Sequence, residues 1–174
     1  ITDLLTAICL MGFNLYIPVY LQEQLGLSPL QSGLVIFPLS VAWITLNFNL
    51  HRMEAKLSRK VIYLLTFTFL LVSSIIISFG IKLPVLIAFV LILAGLSFGH
   101  IYTKDSVIVQ EETSPLQMKK MMSFYGLTKN LGASIGSTIM GYLYAIQSGI
   151  FGPNLHNVLS AVAVISIGLI VLWV

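Results

Sequence analysis

The chain is short of charge and of cysteine. Nine Lys or Arg and six Asp or Glu make up 9% of its 174 residues, where a soluble domain carries about 25%. So little charge cannot keep a surface of this size in water, which excludes an ordinary soluble domain. Cys9 is the single cysteine and sits inside an apolar run, so no disulfide framework and no thiolate metal site is expected. Phosphate loops, nucleotide motifs, metal-ligand spacings and nucleophile–base pairs are also missing. The expectation is therefore no metal, no cofactor and no enzyme. The adjacent Glu111 and Glu112 fit a solvated turn in a loop. A basic stripe for nucleic acid would need a soluble face, and none is present.

What is there instead is apolar length. Hydrophobic residues make up 57% of the chain and mean hydropathy is +0.99. Runs of roughly 17 to 22 residues recur, enough to cross about 30 Å of hydrocarbon. Spans are predicted over 3–22, 29–50, 61–79, 84–103, 115–146 and 157–174, an all-α polytopic membrane protein with the lipid bilayer as its first partner. No basic stretch precedes the first run, so it does not resemble a cleaved signal peptide. The chain does not open on Met and its last run is still apolar at Val174. A piece of a longer protein is the expectation.

Local signals place the starts. Ser28-Pro29-Leu30-Gln31 offers an N-cap Ser, a Pro at the first helical position and a Gln able to reach back, the pattern of a capping box. The same four residues recur at Ser114-Pro115-Leu116-Gln117 and predict the same cap there. Pro84 follows the turn Gly80-Ile81-Lys82-Leu83. Basic residues near span ends resist translocation. Arg52, Lys56, Arg59 and Lys60 crowd one connection and Lys104, Lys119, Lys120 and Lys129 flank another, while the alternate connections hold only Lys82. Both termini are thereby predicted on the cytoplasmic side of the cell membrane, with Gln24 and Ser148 on the far side.

Titratable groups are sparse within the spans. Asp3 and Glu23 fall at the ends of the first and Asp105 at the end of the fourth, so no span core is expected to hold a carboxylate. His100 would suit a proton relay with its ordinary pKa of about 6.5, though its position near the cytoplasmic interface also lets a polar tip reach water. Asn14 must bond a neighbouring helix or line a polar cavity. The aromatics Phe13, Tyr16, Phe37, Trp43, Tyr102, Phe124 and Tyr142 could wall a cavity for lipophilic cations; packing against lipid or other helices is the alternative for most. Tyr16, Tyr20 and Trp173 fit the interfacial belts. Gly132 and Gly136, and Ser137 and Gly141, are spaced by four, a small-residue stripe for close helix approach. Pro18 and Pro38 lie inside spans and favour kinks.

Three stretches carry a family resemblance. Tyr16-Ile17-Pro18-Val19-Tyr20-Leu21-Gln22, continuing through Leu25-Gly26-Leu27-Ser28-Pro29-Leu30-Gln31-Ser32-Gly33 to Pro38, resembles the start of the C-terminal six-helix half of the fourteen-helix drug:proton antiporters, a branch of the major facilitator superfamily. Gly95-Leu96-Ser97-Phe98-Gly99, running into Gln110 and Ser114-Pro115, is similar to the fourth helix of that half, with Gly95 and Gly99 at packing or hinge positions. Lys129-Asn130-Leu131-Gly132-Ala133-Ser134-Ile135-Gly136-Ser137 resembles its glycine-rich fifth helix. One element departs from the pattern. Where the family has Gly, then Asp, then basic residues as a latch between halves, this chain has His51 and Ala55 at the Gly and Asp positions, and Glu54 could stand in by a shifted register.

The resemblance implies one half of a bundle that rocks against an N-terminal half. It further implies drug or amphiphile export driven by protons whose coupling carboxylate lies in that other half. Cavity lining would come from the first, second, fourth and fifth helices. A facilitator for a polar nutrient would want polar side chains converging at the midplane, where Asn14, Asn47 and Asn49 are the candidates. A lipid-acting membrane enzyme would need more than the Lys104 and Asp105 pair.

Overall fold

The computed structural model describes residues 1–147 and 154–174, so Ser148 lies outside the described residues. Six helical rods account for nearly all of them: α1 (Thr2–Glu23), α2 (Pro29–Glu54), α3 (Arg59–Ser78), α4 (Pro84–Glu112), α5 (Met118–Ala145) and α6 (Leu155–Trp173). All but α5 are long and apolar enough to cross a membrane by composition alone. At 1.5 Å per residue α5 is also long enough, about 42 Å, but Lys, Asn, Ser and Thr on its open side dilute its hydropathy.

The first capping box is formed as its residues predict. The Gln31 amide donates to Ser28 Oγ at 3.3 Å and the Ser28 amide donates to Gln31 Oε1 at 2.9 Å. The second is not. Ser114 to Gln117 close a turn, with the Gln117 amide donating to the Ser114 carbonyl at 2.9 Å, and α5 begins only at Met118 without a side-chain cap. Identical residues behave differently because Ser28 leaves a loop, whereas Ser114 follows directly on the end of another helix.

That helix is α4, which runs nine residues past its expected end at 103. No Gly or Pro interrupts it until Pro115, which disfavours helical backbone in the residue before it, and Thr113 is already extended. Lys104 and Asp105 therefore lie within the helix, and Glu111 and Glu112 belong to its final turn rather than to a loop. α2 likewise continues to Glu54 and carries His51 and Arg52 in its last turn.

α1 is interrupted where the sequence suggested only a kink. Gly12–Tyr16 form a π-helical turn, and Pro18 is the second residue of the α-helical segment Ile17–Glu23 that follows it. Pro18 has no N–H for the carbonyl four residues back, and the widened turn absorbs that mismatch.

The rods pack α1 on α5, α2 on α4, and α3 on both α4 and α6. Glycines set two of these seams. A Cβ at Gly95 would lie 2.2 Å from the Leu39 carbonyl oxygen, and one at Gly99 3.0 Å from Trp43 Cα, so α4 meets the backbone of α2. At Gly132 it would lie 2.6 Å from the Leu4 oxygen and at Gly136 2.7 Å from Ile8 Cα, bringing α5 onto α1 in the same way. Gly141 differs from the expected backbone stripe: it faces the Tyr16 hydroxyl, 2.7 Å from its would-be Cβ. Several buried hydroxyls are satisfied internally, as hydrocarbon requires, Ser32 Oγ being an exception among the described residues. Thr66 and Ser166 donate to carbonyls one turn back, and Ser97 donates across to the Thr66 carbonyl at 2.8 Å.

Candidate functional site

Burial is uneven around the bundle. α2 is covered along one line only, Ser32, Leu39, Ala42, Leu46 and Leu50, and α5 along Gly132, Gly136 and Met140. The rest of each circumference is open. On α2 the uncovered positions form a helical stripe, Leu30, Leu34, Phe37, Val41, Ile44 and Phe48. On α5 Phe124, Leu127, Leu131, Ile135, Ile139 and Tyr142 do the same, with Ser134 and Thr138 alongside. Apolar stripes suit lipid or another helical body equally.

Apart from Trp43 and Tyr102, which pack on each other, the expected cavity residues are spread over this bundle. Phe37 and Pro38 border an apolar groove of about 420 Å³ between α2 and α4, with Val41, Ile92 and Leu96. Phe124 and Tyr142 are exposed on α5. Asn14 is exposed on the π turn and, among the described residues, bonds no neighbouring helix. Tyr16 turns inward, donating to the Ser137 carbonyl at 3.0 Å and tilting against Tyr144, so it joins α1 to α5. Trp173 likewise stacks on Tyr63 at 3.9 Å and donates to Thr2.

His100 is buried rather than reaching water, at 2% exposure. Its Nδ1 lies 3.1 Å from Thr66 Oγ1 and its ring meets Tyr63 edge-on. It borders a polar cavity of about 140 Å³ at the basic end of the bundle, with Glu54, Arg59 and Lys104. Lys104 Nζ is 2.8 Å from Glu54, and Arg59 is 3.5 Å from Glu112. The helix ends on both sides of the basic connection, Glu54 of α2 and Arg59 of α3, are thus paired with α4, with Arg52, Lys56 and Lys60 close by in sequence.

Sequence reasoning missed the chemistry around Asp105. Its carboxyl accepts a hydrogen bond from Tyr63, and Asp3 of α1 is near enough to act on it electrostatically. Nearby, Lys129 does not sit at a loop. It rises from α5 eleven residues past the helix start, about 17 Å along it, and its Nζ lies 3.8 Å over the Tyr102 ring and 4.9 Å from that of Tyr125. Tyr102 in turn packs on Trp43 at 5.4 Å. One sequence signal was available: Tyr125 and Lys129 are spaced by four, so they share a helix face. The remaining members come from α1, α2, α3 and α4, and no spacing rule links them.

The comparisons with known proteins agree with this architecture. The family model described as Major Facilitator Superfamily matches residues 1–137. The Multidrug efflux pump SdrM of Staphylococcus aureus (strain N315) is 98% identical over all 174 residues, and the chain spans 39% of that relative's length. No solved structure matches. With four-fifths of its length covered by the family model and a multi-pass helical bundle as its structure, the chain belongs to the major facilitator superfamily.

Proposed function

We propose that the chain is the C-terminal six-helix half of a proton-coupled exporter of drugs or other amphiphiles, working by alternating access against an N-terminal half. One observation carries this reading: α2 and α5 are each packed along a single line and leave long stripes uncovered, in a chain spanning 39% of a multidrug efflux pump. A second helical body laid against those stripes, with α1 and α4 between them, encloses a central cavity at the repeat interface, where transporters of this kind hold substrate. Asn14 and the π turn then face that cavity.

The basic end is cytoplasmic on this reading, because eight Lys or Arg lie towards it and only Lys82 at the other. The substrate is an apolar or amphiphilic molecule. A polar nutrient is poorly served, since Asn47 accepts from Thr103 at 2.7 Å and Asn49 donates to the Thr45 carbonyl of its own helix, leaving neither to converge with Asn14. Everted membrane vesicles holding the full-length pump should concentrate a fluorescent lipophilic dye when a proton gradient is imposed, and release it when the gradient is collapsed. Dye movement indifferent to the gradient would refute proton coupling, and no movement of any amphiphile tested would refute export.

A further inference from the structure

A polar cavity of about 240 Å³ lies at the end of the bundle opposite the basic connections. Its lining is Tyr20 of α1 with Gln24 and Leu25 just beyond that helix, Lys82 of the α3–α4 turn, and Asn154 and His156 at the start of α6. Tyr20 is only 8% exposed, yet among the described residues its hydroxyl bonds no protein group. A buried tyrosine hydroxyl ordinarily has a partner, and the cavity is where one can stand. His156 is fixed in place. A carbonyl only accepts, so Nδ1 carries the hydrogen that bonds the Ser78 carbonyl, and Nε2 is the nitrogen left for a ligand. Lys82 is exposed and forms no salt bridge among the described residues. The neighbouring carboxylate, Glu23, accepts from the Tyr144 hydroxyl at 3.2 Å and does not line the cavity.

A phenol, a carboxamide, an imidazole and an ammonium with no carboxylate among them suit an oxyanion. Every lining residue stands at a span end or within one turn of it, the depth of lipid headgroups. An apolar groove of about 590 Å³ then leads away between α3, α5 and α6. It is bordered by Ser78, whose carbonyl holds His156, and by Ser160, one turn beyond His156, and continues to Val164 and Ile167. We propose that the cavity binds the phosphate of an anionic phospholipid from the leaflet at that end, with one acyl chain laid in the groove. A soluble phosphate would use the cavity and have no use for the groove.

The probe is phosphatidylglycerol bearing a diazirine in one acyl chain, added at limiting concentration to the purified full-length pump in detergent and photolysed. Peptides from the groove, around Ile75 on α3 and Val164 on α6, should be labelled. Lys82→Gln should reduce that labelling about tenfold, as loss of a charge-assisted contact does. Tyr20→Phe keeps the ring and removes one hydrogen bond, so about threefold is expected. Lys56→Gln removes the same charge at the opposite end and should leave labelling unchanged. The matching phosphatidylcholine probe, whose choline brings a cation towards Lys82, should label weakly, and soluble glycerol phosphate at equal concentration should not compete. Groove labelling unmoved by Lys82→Gln or by Tyr20→Phe, a loss shared by Lys56→Gln, or equal labelling by phosphatidylcholine would overturn the lipid site. Displacement of the probe by glycerol phosphate would overturn it too, in favour of a site for a soluble phosphate.

Discussion

The α1–α5 seam and the α3–α6 seam join helices of the same bundle by opposite means. Along α1–α5, glycines bring backbones together: Gly132 sits on Leu4 and Gly136 on Ile8 with no room for a Cβ. Along α3–α6, large side chains do the filling, with Tyr63 stacked on Trp173 and Phe67 buried in one cluster with Ile101 and Leu169. In lipid, where apolar burial alone gives helices little reason to associate, close backbone approach and side-chain interlocking are alternative sources of van der Waals contact. They differ in what they tolerate. A glycine seam accepts no added atom, yet it is smooth and offers little resistance to shear. An interlocked seam resists sliding but repacks around modest changes of shape.

Substitutions should separate the two in order of effect. Gly136→Leu ought to be the most damaging, costing about 3 kcal/mol or more, because neither Ile8 Cα nor the Ile8 carbonyl can move aside without separating the helices. Thermal unfolding of the full-length pump in detergent would show this, and normal stability with normal transport would mean that α5 does not pack through that line. Phe67→Leu on the interlocked seam should cost about 1–2 kcal/mol by the same assay, since the aromatic volume is only partly refilled. A loss as large as that of Gly136→Leu would erase the distinction between the seams. Ile139→Leu, on the uncovered stripe of α5, should stay within about 0.5 kcal/mol of the parent; a large loss would mean that the other half packs tightly on this position instead of facing it across the cavity.

Much of the bundle was legible from sequence because hydrocarbon imposes one solution, a helix of spanning length, on every apolar run. Ends and irregularities were less so. α4 passes its expected end because its backbone obeys Pro115, and Lys104 and Asp105 do not stop it; both are tolerated inside the helix since each gains a partner from elsewhere in the fold. The π turn at Gly12–Tyr16 depends on how Pro18 resolves its missing donor, which propensity does not specify. Glu54, suggested as a shifted stand-in for the usual acid, does form an ion pair, with Lys104 on α4 of this same bundle. The site was least legible. His100 and Asp105 take their character from Thr66 and Tyr63 on α3, and Lys129 meets Tyr102 of α4 as well as Tyr125 of its own helix, so only the i, i+4 pair within α5 could have hinted at its surroundings.

Split expression tests the central claim most directly, that this chain is one wall of a two-walled transporter. The chain alone, the remainder of the full-length pump alone, and both together would be placed in vesicles under an imposed proton gradient with a fluorescent lipophilic dye. Gradient-dependent dye movement is expected only when both pieces are present, because the uncovered stripes of α2 and α5 and the open Asn14 face need the other body to enclose a cavity. Gradient-dependent movement by this chain alone would contradict it and would make the six helices a carrier in their own right.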